Sequence, residues 1–203
     1  MPEQEIPRIS MTPEEIEAAN VGSATKLNGQ VVLCEPDPRW AVAFETEAAR
    51  MREELDSLDH RIEHVGSTSV PDLPAKPVVD MLLIVPDSSD EASYLPALEP
   101  LGYTLVIREP EWYEHRVLRK QFPDDRDHTA ESVNLHVLST GCPENERMLR
   151  FRDRLRTHDG DRTLYSDTKR ALSRQDWEYI QNYADAKSEV VAGILGRAMA
   201  DAD

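Results

Sequence analysis

The chain has 203 residues and a formal net charge of −16, with 39% hydrophobic and 31% charged residues. This length is enough for one domain with a buried core. No apolar run approaches the ~20 residues that cross a bilayer, so a membrane-spanning helix is not expected. The excess of acid argues against a broad nucleic-acid-binding surface, which relies on basic residues. It still allows a small anionic ligand that a local cluster of basic groups holds.

The beginning of the chain lacks a basic segment followed by an apolar one, so we expect a cytoplasmic protein. The two cysteines, Cys34 and Cys142, lack the spacing of a redox or zinc motif. They are typical of reduced, buried thiols, which agrees with that expectation.

Residues 1–30 are weakly patterned and are predicted to form a loosely attached or peripheral arm. Within the arm, Thr12 has the character of an N-cap, which predicts a short helix over Pro13–Ala19. The β-prone run Gln30–Cys34 predicts a strand. Apolar residues at steps of three and four then predict an amphipathic helix from about Arg39 to Leu58.

Further strands are expected in the middle of the chain. Apolar, β-prone runs predict them at Arg61–Val65, Val78–Val85, Tyr103–Ile107 and Val133–Leu138. A helix is predicted from a cap at Asp87 through about Leu98, and a polar loop over Phe122–Glu131. In the last strand the apolar residues occupy one face, while Asn134 and His136 share the other.

After Gly141 the pattern becomes helical. Helices are predicted at Pro143–Thr157, at Asp161–Ser173, and continuously from a cap at Asp176. We find no internal repeat and no linker. Residues 31–203 are therefore predicted to form one α+β domain, with a sheet of four to five strands and a C-terminal helical part folded back on it.

The first candidate for a functional site is the turn Gly66-Ser67-Thr68, which directly follows a predicted strand. Glycine lets the backbone turn and expose N–H groups, and the hydroxyls add donors, so such a turn can hold a phosphate. A tight turn without a ligand is the commoner meaning of this pattern. The Gly-Lys-Ser/Thr of a Walker A loop does not follow.

Asp80 and His136 are the candidates for catalysis. Asp80 opens an apolar run that predicts a buried strand, and a buried carboxylate needs a partner or a metal. A structural salt bridge to Lys76 or an arginine explains a buried carboxylate at Asp80 about as well as a functional role does. His136 lies away from the apolar face of its strand, where it is either a hydrogen-bonded scaffold residue or a ligand, base or positive contact of a site.

Five further basic residues are candidates for binding an anion. Arg108 and Arg116 flank a segment of alternating acid and base, which is either a solvated hairpin or a clamp for an anion. Arg152, Lys169 and Lys187 lie on the predicted C-terminal helices. They form either ordinary surface salt bridges or a basic rim around a pocket.

Several of these segments together resemble one known family. They are His64–Pro71, Ala75–Asp80, Gly102-Tyr103, Arg108–Pro110, Glu114–Arg116, Asn134–Val137, Phe151–Asp153, Leu155-Arg156, Tyr165 with Lys169, and Tyr183 with Lys187. The combination resembles the GrpB family, also described as UPF0157 proteins, over roughly Val31 to Ala198. Asp72 stands where the family usually has glycine.

The resemblance implies a nucleotidyltransferase fold, with a mixed sheet, flanking helices and a nucleotide-phosphate site at the Gly-Ser turn. In that superfamily a set of acids holds two Mg²⁺ ions for attack on the α-phosphate. Here Leu82 replaces the second acid, and Asn134 and His136 occupy the later strand. Asp80 is therefore the predicted ligand of a single Mg²⁺ ion, and these positions cannot build the usual two-metal clamp.

Three functions remain open at this point. The first is nucleotidyl or phosphoryl transfer from a nucleoside triphosphate, with Asp80 and His136 in catalysis. In it the Gly66–Thr68 turn and the basic residues Lys76, Arg152, Lys169 or Lys187 bind the phosphates. The second is a degenerate module that holds a nucleotide or a CoA-type ligand, a possibility that family members fused to dephospho-CoA kinases suggest. The third is a structural or protein-binding role.

Overall fold

The computed structural model describes residues 10–122 and 130–201. The β-strands in these ranges are β1 (Lys26–Gly29), β2 (Arg61–Val65), β3 (Val78–Val85), β4 (Thr104–Glu109), β5 (His115–Gln121), β6 (Ser132–Ser139) and β7 (Trp177–Tyr179). The α-helices are α1 (Pro13–Ala19), α2 (Arg39–Glu54), α3 (Leu95–Leu98), α4 (Pro143–Thr157), α5 (Asp159–Leu172), α6 (Ile180–Asp185) and α7 (Ser188–Ala200).

A five-stranded sheet with the strand order β2-β3-β6-β5-β4 forms the centre of the molecule. β3 and β6 pair in parallel, whereas the other neighbouring strands are antiparallel. The parallel register places Asp80 beside Asn134 and Leu82 beside His136. The sheet therefore brings polar positions that are distant in sequence onto neighbouring strands.

One face of the sheet is covered by the apolar stripe of α2. Trp40 and Met51 of this helix belong to the main core together with Met81 of β3 and Leu135 of β6. Successive side chains of a strand point to opposite faces. Asp80 therefore lies on the face that α2 does not cover.

The other face is covered by the C-terminal helices. Leu82 packs there with Leu138, and Met148 of α4 packs against them. A second cluster joins the loop between β2 and β3 to α4, α5 and α7, and its buried members are Val70, Leu73, Leu155, Tyr165 and Ile194. The loop that begins at Gly66 is thus held in place by helices that follow it by many residues.

The α+β class, the mixed sheet and the C-terminal helical part are confirmed. The elements α1, β2, β3 and α4 begin and end where the sequence predicts, and α2 ends four residues before the predicted Leu58. Among the described residues, no helix combines the length and apolar character needed to cross a membrane.

The prediction of one continuous helix from Asp176 is wrong. The chain forms β7, α6 and α7 instead. Trp177–Tyr179 pair with β1, and aromatic residues favour strands over helices when a partner strand is present. Lys187 is the N-cap of α7, so the chain turns at this residue instead of continuing as a helix.

Two other predicted elements need correction. Gln30–Cys34 is not a strand, because only Cys34 forms a bridge, to Ala75, and the nearby strand is β1. The helix predicted over 87–98 is reduced to a 3₁₀ turn at Glu91–Ser93 followed by α3. Pro96 lacks a backbone N–H, which favours a helix that begins just before it.

Residues 10–29 pack at the periphery of the domain. α1 buries Ile16, which is 5% exposed. The Val21 N–H donates to the Val106 carbonyl at 2.9 Å, and β1 pairs antiparallel with β7. Residues 1–9 of the predicted arm lie outside the described residues, as do residues 123–129 of the predicted polar loop.

Leu135 provides a test of the core, because it is fully buried at the centre of β6. Leu135→Ala removes buried methyl groups and leaves a cavity, so we expect the free energy of unfolding to fall by about 2–5 kcal/mol. Urea denaturation measures the difference. The control is Val32→Ala at a side chain that is 73% exposed, with an expected change within about 0.5 kcal/mol. Equal effects of the two substitutions would contradict this assignment of the core.

Candidate functional site

The backbone of Gly66 lies directly against Asp80. Val65 pairs with Asp80 in the β2–β3 ladder, which carries the following turn onto the carboxyl group. Gly66 has a φ of +67°, and a Cβ at this position would lie 2.8 Å from the Cβ of Asp80. Both the left-handed backbone and the close approach require glycine. The Gly-Ser turn and the aspartate therefore form one local structure.

Asp80 is held by side chains of β5 and β6. The Asn134 Nδ2 donates to Asp80 Oδ1 at 3.1 Å, and the Arg119 Nε donates to Asn134 Oδ1 at 3.0 Å. The strand register explains this row, because Asn134 pairs with Asp80 on one side and with Arg119 on the other. Burial raises the pKa of Asp80, while Lys76, Asn134 and Arg119 oppose the rise.

Three lysines converge on the same place. The buried Lys169 donates to the Pro74 carbonyl. Lys187, also buried, donates to the Tyr183 carbonyl at 3.0 Å, and its Nζ lies 3.6 Å from the centre of the Tyr183 ring. Burial, reinforced by neighbouring positive charges, lowers the pKa of Lys169 and of Lys187 to about 7. Burial also lowers the pKa of Lys76.

These side chains line one cavity of about 270 Å³. The predicted site residues that line it are Gly66, Ser67, Lys76, Asp80, His136, Lys169 and Lys187. Tyr165 lines the cavity together with Ser67. Tyr183 also lines the cavity, and its buried hydroxyl has no hydrogen-bond partner among residues 10–122 and 130–201.

His136 begins a row of hydrogen-bonded side chains that leads away from the cavity through the buried His115. Its Nδ1 lies 3.0 Å from Nε2 of His115, and Nδ1 of His115 lies 2.7 Å from Oε2 of Glu109. The two imidazole rings are stacked with centroids 5.2 Å apart. On the cavity side, Nε2 of His136 lies 4.0 Å from Oδ1 of Asp80.

Comparison with known proteins identifies the family. A family model described as "GrpB protein" matches residues 30–197. The chain belongs to the GrpB family. A UPF0157 protein of Halalkalibacterium halodurans is 49% identical over 189 residues, which cover 93% of each chain.

Two further comparisons extend this result. The crystal structure of the conserved protein GrpB from Enterococcus faecalis matches with a TM-score of 0.69 and 29% identity, over 84% of this chain and 98% of that one. A protein named dephospho-CoA kinase from Mycobacterium leprae is 26% identical over 208 residues, covering 92% of this chain and 50% of the kinase. The GrpB-like region thus corresponds to part of that longer protein.

Two residues of the GrpB-like motifs that were predicted to bind phosphate lie outside the cavity. Thr68 is buried with its Oγ1 3.1 Å from Nε2 of His64. Arg152 donates from Nη1 to Glu63 Oε2 at 2.7 Å and to the His64 carbonyl at 3.1 Å. Both residues therefore hold the end of β2 and the start of the turn.

Arg108 and Arg116, also predicted as phosphate contacts, lie at a different place as well. Both guanidinium groups donate to Glu91, with distances of 2.6–2.7 Å. Hydrogen bonds from these arginines lower the pKa of Glu91 to about 2. The two arginines therefore do bind one anionic group together, as the sequence suggested, but that group is the carboxylate of Glu91 and not a ligand phosphate.

Arg119, His115 and Glu109 were not among the predicted site residues. The sequence carries a weak signal for two of them, because Glu109 and His115 flank a short turn and pair across the β4–β5 hairpin. Arg119 has no such signal. Its place beside Asn134 depends on the pairing of β5 with β6.

The groups around Asp80 do not match the requirements of magnesium. Mg²⁺ favours a near-octahedral set of oxygen ligands, whereas Asp80 Oδ1 is bonded to Asn134 and has Lys76 and Arg119 nearby. In the part of the chain that the structure describes, no group of three or more His, Cys, Asp or Glu side chains could hold a metal ion. The cavity suits an anion better than a divalent cation.

The contact between Gly66 and Asp80 leads to a prediction for Gly66→Ala. The backbone of Gly66, with a φ of 67° and a ψ of −171°, lies in a region that is essentially restricted to glycine, so alanine there costs about 1–3 kcal/mol. Its Cβ would also collide with Asp80. The matched control is Gly141→Ala, because Gly141 has a φ of +82° and open space around the added Cβ. We expect a larger loss of unfolding free energy at Gly66 than at Gly141 in urea denaturation. Equal losses would contradict the close contact.

Proposed function

We propose that the cavity binds a nucleotide or another phosphorylated small molecule through its phosphate groups. The observation that carries this proposal is the convergence of Lys76, Arg119, Lys169 and Lys187 on one cavity in a chain with a net charge of −16. Asp80 balances only part of this positive charge. A phosphate group would balance the rest and accept several charge-assisted hydrogen bonds.

The lysine pKa values support an anionic ligand. A value of about 7 for Lys169 and Lys187 means that burial disfavours their charged forms when the cavity holds no anion. A nearby negative charge favours the protonated form of a lysine and offsets the cost of burial. Binding of phosphate and protonation of these lysines would therefore support each other.

Two hydroxyl groups offer further contacts to such a ligand. Ser67 lies in the turn next to Asp80 and lines the cavity. The buried Tyr183 hydroxyl lacks a hydrogen-bond partner within the described residues, and buried polar groups are rarely left in that state. A ligand oxygen would satisfy it.

The shape of the site supports a ligand larger than a phosphate ion. A second cavity of about 140 Å³ adjoins the first, and both are lined by Ile107, Arg119, Ile180 and Gln181. A ligand with a phosphate end and a less polar remainder would extend from one into the other. A nucleotide has this character. A CoA-type ligand is the alternative, supported by the similarity to the protein named dephospho-CoA kinase.

A second candidate function is nucleotidyl transfer to a small acceptor. The observation in its favour is that Asp80 and His136 face each other across 4.0 Å at the cavity. Leu82 stands two residues after Asp80, where this chemistry ordinarily uses a second carboxylate to hold metal. We therefore propose phosphate binding by the basic side chains of the chain itself, without a requirement for Mg²⁺.

Thermal denaturation with added ATP, GTP, CTP or CoA tests the binding proposal. Each ligand is added with Mg²⁺ and, separately, with EDTA. A ligand at a hundred times its Kd stabilises the folded protein by about 2.7 kcal/mol, and we expect this gain in EDTA as well. Lys187→Met should weaken binding about ten- to a hundred-fold because it removes a buried charged donor.

The matched control is Lys26→Met, since Lys26 is an exposed lysine paired with Glu178, and binding should be unchanged. No stabilisation by any of the four ligands would contradict the proposal. Stabilisation that disappears in EDTA would instead favour the metal-dependent candidate. Release of pyrophosphate from a nucleoside triphosphate, lost in Asp80→Asn but not in Lys26→Met, would support transfer.

The lysine pKa values also predict a dependence on pH. The pKa of Lys169 and Lys187 falls from 10.5 to about 7 on folding, so between these values the unfolded chain binds more protons. The stability of the protein without ligand should therefore rise with pH over that interval. Ligand affinity should fall over the same interval, because fewer lysines are charged.

Urea denaturation and isothermal titration calorimetry with ATP measure these opposite trends. The measurements are made above about pH 7, where the terminal phosphate is largely ionised. Lys169→Met and Lys187→Met should each flatten both dependences. Affinity that rises with pH would contradict the assignment of the lysines as phosphate ligands.

A further inference from the structure

The row formed by Glu109, His115 and His136 connects the two cavities. Glu109 lines the smaller one and His136 lines the larger one. His115 lies between them and is 3% exposed. Because His115 is buried, the hydrogen bonds along the row determine which nitrogen of each ring carries a proton.

The donor and acceptor roles can be derived along the row. An ionised Glu109 only accepts, so Nδ1 of His115 carries a proton. A neutral His115 then has an unprotonated Nε2, which accepts from Nδ1 of His136. A neutral His136 protonated at Nδ1 has its lone pair on Nε2, the nitrogen that lies 4.0 Å from Asp80 Oδ1.

We propose that Glu109, His115 and His136 form a proton relay in which Nε2 of His136 is the proton acceptor of the cavity. Glu109 and His115 are positioning residues that act through His136. The proposal rests on the proposed function in one respect: the proton donor is a hydroxyl group of the bound phosphorylated molecule or of a water or acceptor molecule beside it.

In the relay, one residue accepts the proton from the ligand and another residue carries the resulting positive charge. The proton moves from the hydroxyl to Nε2 of His136, the O–H bond breaks, and its electron pair stays on the oxygen. The Nδ1 proton of His136 moves to Nε2 of His115 in the same event. The positive charge then lies on His115, whose Nδ1 is 2.7 Å from the Glu109 carboxylate.

The charges around the cavity favour this arrangement. Lys76, Arg119 and Lys187 line the same cavity as His136, so a positive imidazolium at His136 would be repelled. Asp80 is the negative group facing His136, and its charge is shared with Lys76 and Arg119. Glu109 offers a carboxylate directly to His115.

Nuclear magnetic resonance on the full-length protein with ¹⁵N-labelled histidine tests the relay. Long-range ¹H–¹⁵N correlations distinguish protonated from unprotonated ring nitrogens, and His136→Gln assigns the signals. In the neutral state without ligand we expect His136 to be protonated at Nδ1 and unprotonated at Nε2. A predominant Nε2–H form would overturn the proposal, whereas simple ring stacking would impose no preference for Nδ1–H.

His115→Phe removes the nitrogens of the relay and keeps an aromatic ring in the stack. We expect His136 to change mainly to the Nε2–H form, which neutral histidine favours in water. An unchanged Nδ1–H form would overturn the proposal. The control is His158→Phe, because His158 lies between α4 and α5 and contacts Arg154 at 2.9 Å. It should leave the His136 signals as they are.

Glu109→Leu provides a second test if circular dichroism shows that His115→Phe does not fold. Without the carboxylate, His115 loses the acceptor for its Nδ1 proton, and His136 should again move toward the Nε2–H form. A wild-type pattern in Glu109→Leu would overturn the relay. These measurements use protein without ligand, so their outcome is independent of the thermal denaturation experiments.

The role of Nε2 as proton acceptor is tested by adding ATP at a concentration that saturates the thermal shift. A hydroxyl that donates to Nε2 should move its ¹⁵N signal toward the protonated range. Saturation with ATP that leaves this signal unchanged would overturn the acceptor role. Failure of ATP, GTP, CTP and CoA to bind at all would instead contradict the proposed function. The tautomers measured without ligand would still decide whether the relay exists.

Discussion

The contact between the Gly66 backbone and the Asp80 carboxyl group determines the geometry of the cavity. It fixes the turn after β2 against the first residues of β3, and Arg156 holds the same turn by donating to the Ser69 carbonyl at 2.8 and 3.0 Å. Ser67, the next residue of the turn, is thereby placed at the wall of the cavity that Asp80 also lines. Polar groups held by packing and buried hydrogen bonds lose little freedom when a ligand binds, which favours affinity.

The charge of the cavity is opposite to that of the protein as a whole. With a net charge of −16, the long-range field repels anions, whereas the buried lysines and Arg119 attract them at short range. Salt screens exposed charges beyond about 10 Å and affects buried ones much less. Higher ionic strength should therefore weaken the repulsion that an approaching phosphate meets more than the attraction it meets inside the cavity.

The sequence allowed the prediction of features that depend on local pattern. Asp80 interrupts an apolar run, and Lys169 lies on the inward face of a helical segment, so their placement could be inferred. Lys187 was predicted on the inward face of a continuous helix, but it lies in the turn between α6 and α7. Arg119 and His115 could not, because their positions follow from strand pairing. Arg108 and Arg116 were assigned to phosphate because nothing local indicates that Glu91, 17 residues before Arg108, binds both.

The pairing of β1 with β7 has a consequence for the cavity. β1 precedes residue 30, where the match to the family model begins, yet its partner β7 leads directly into α6 and the turn that carry Tyr183 and Lys187. Backbone hydrogen bonds from β1 thus support one wall of the cavity without contributing a side chain to it. Two relatives can therefore have the same cavity-lining residues and still differ in where α6 and the following turn lie, if their residues in β1 differ.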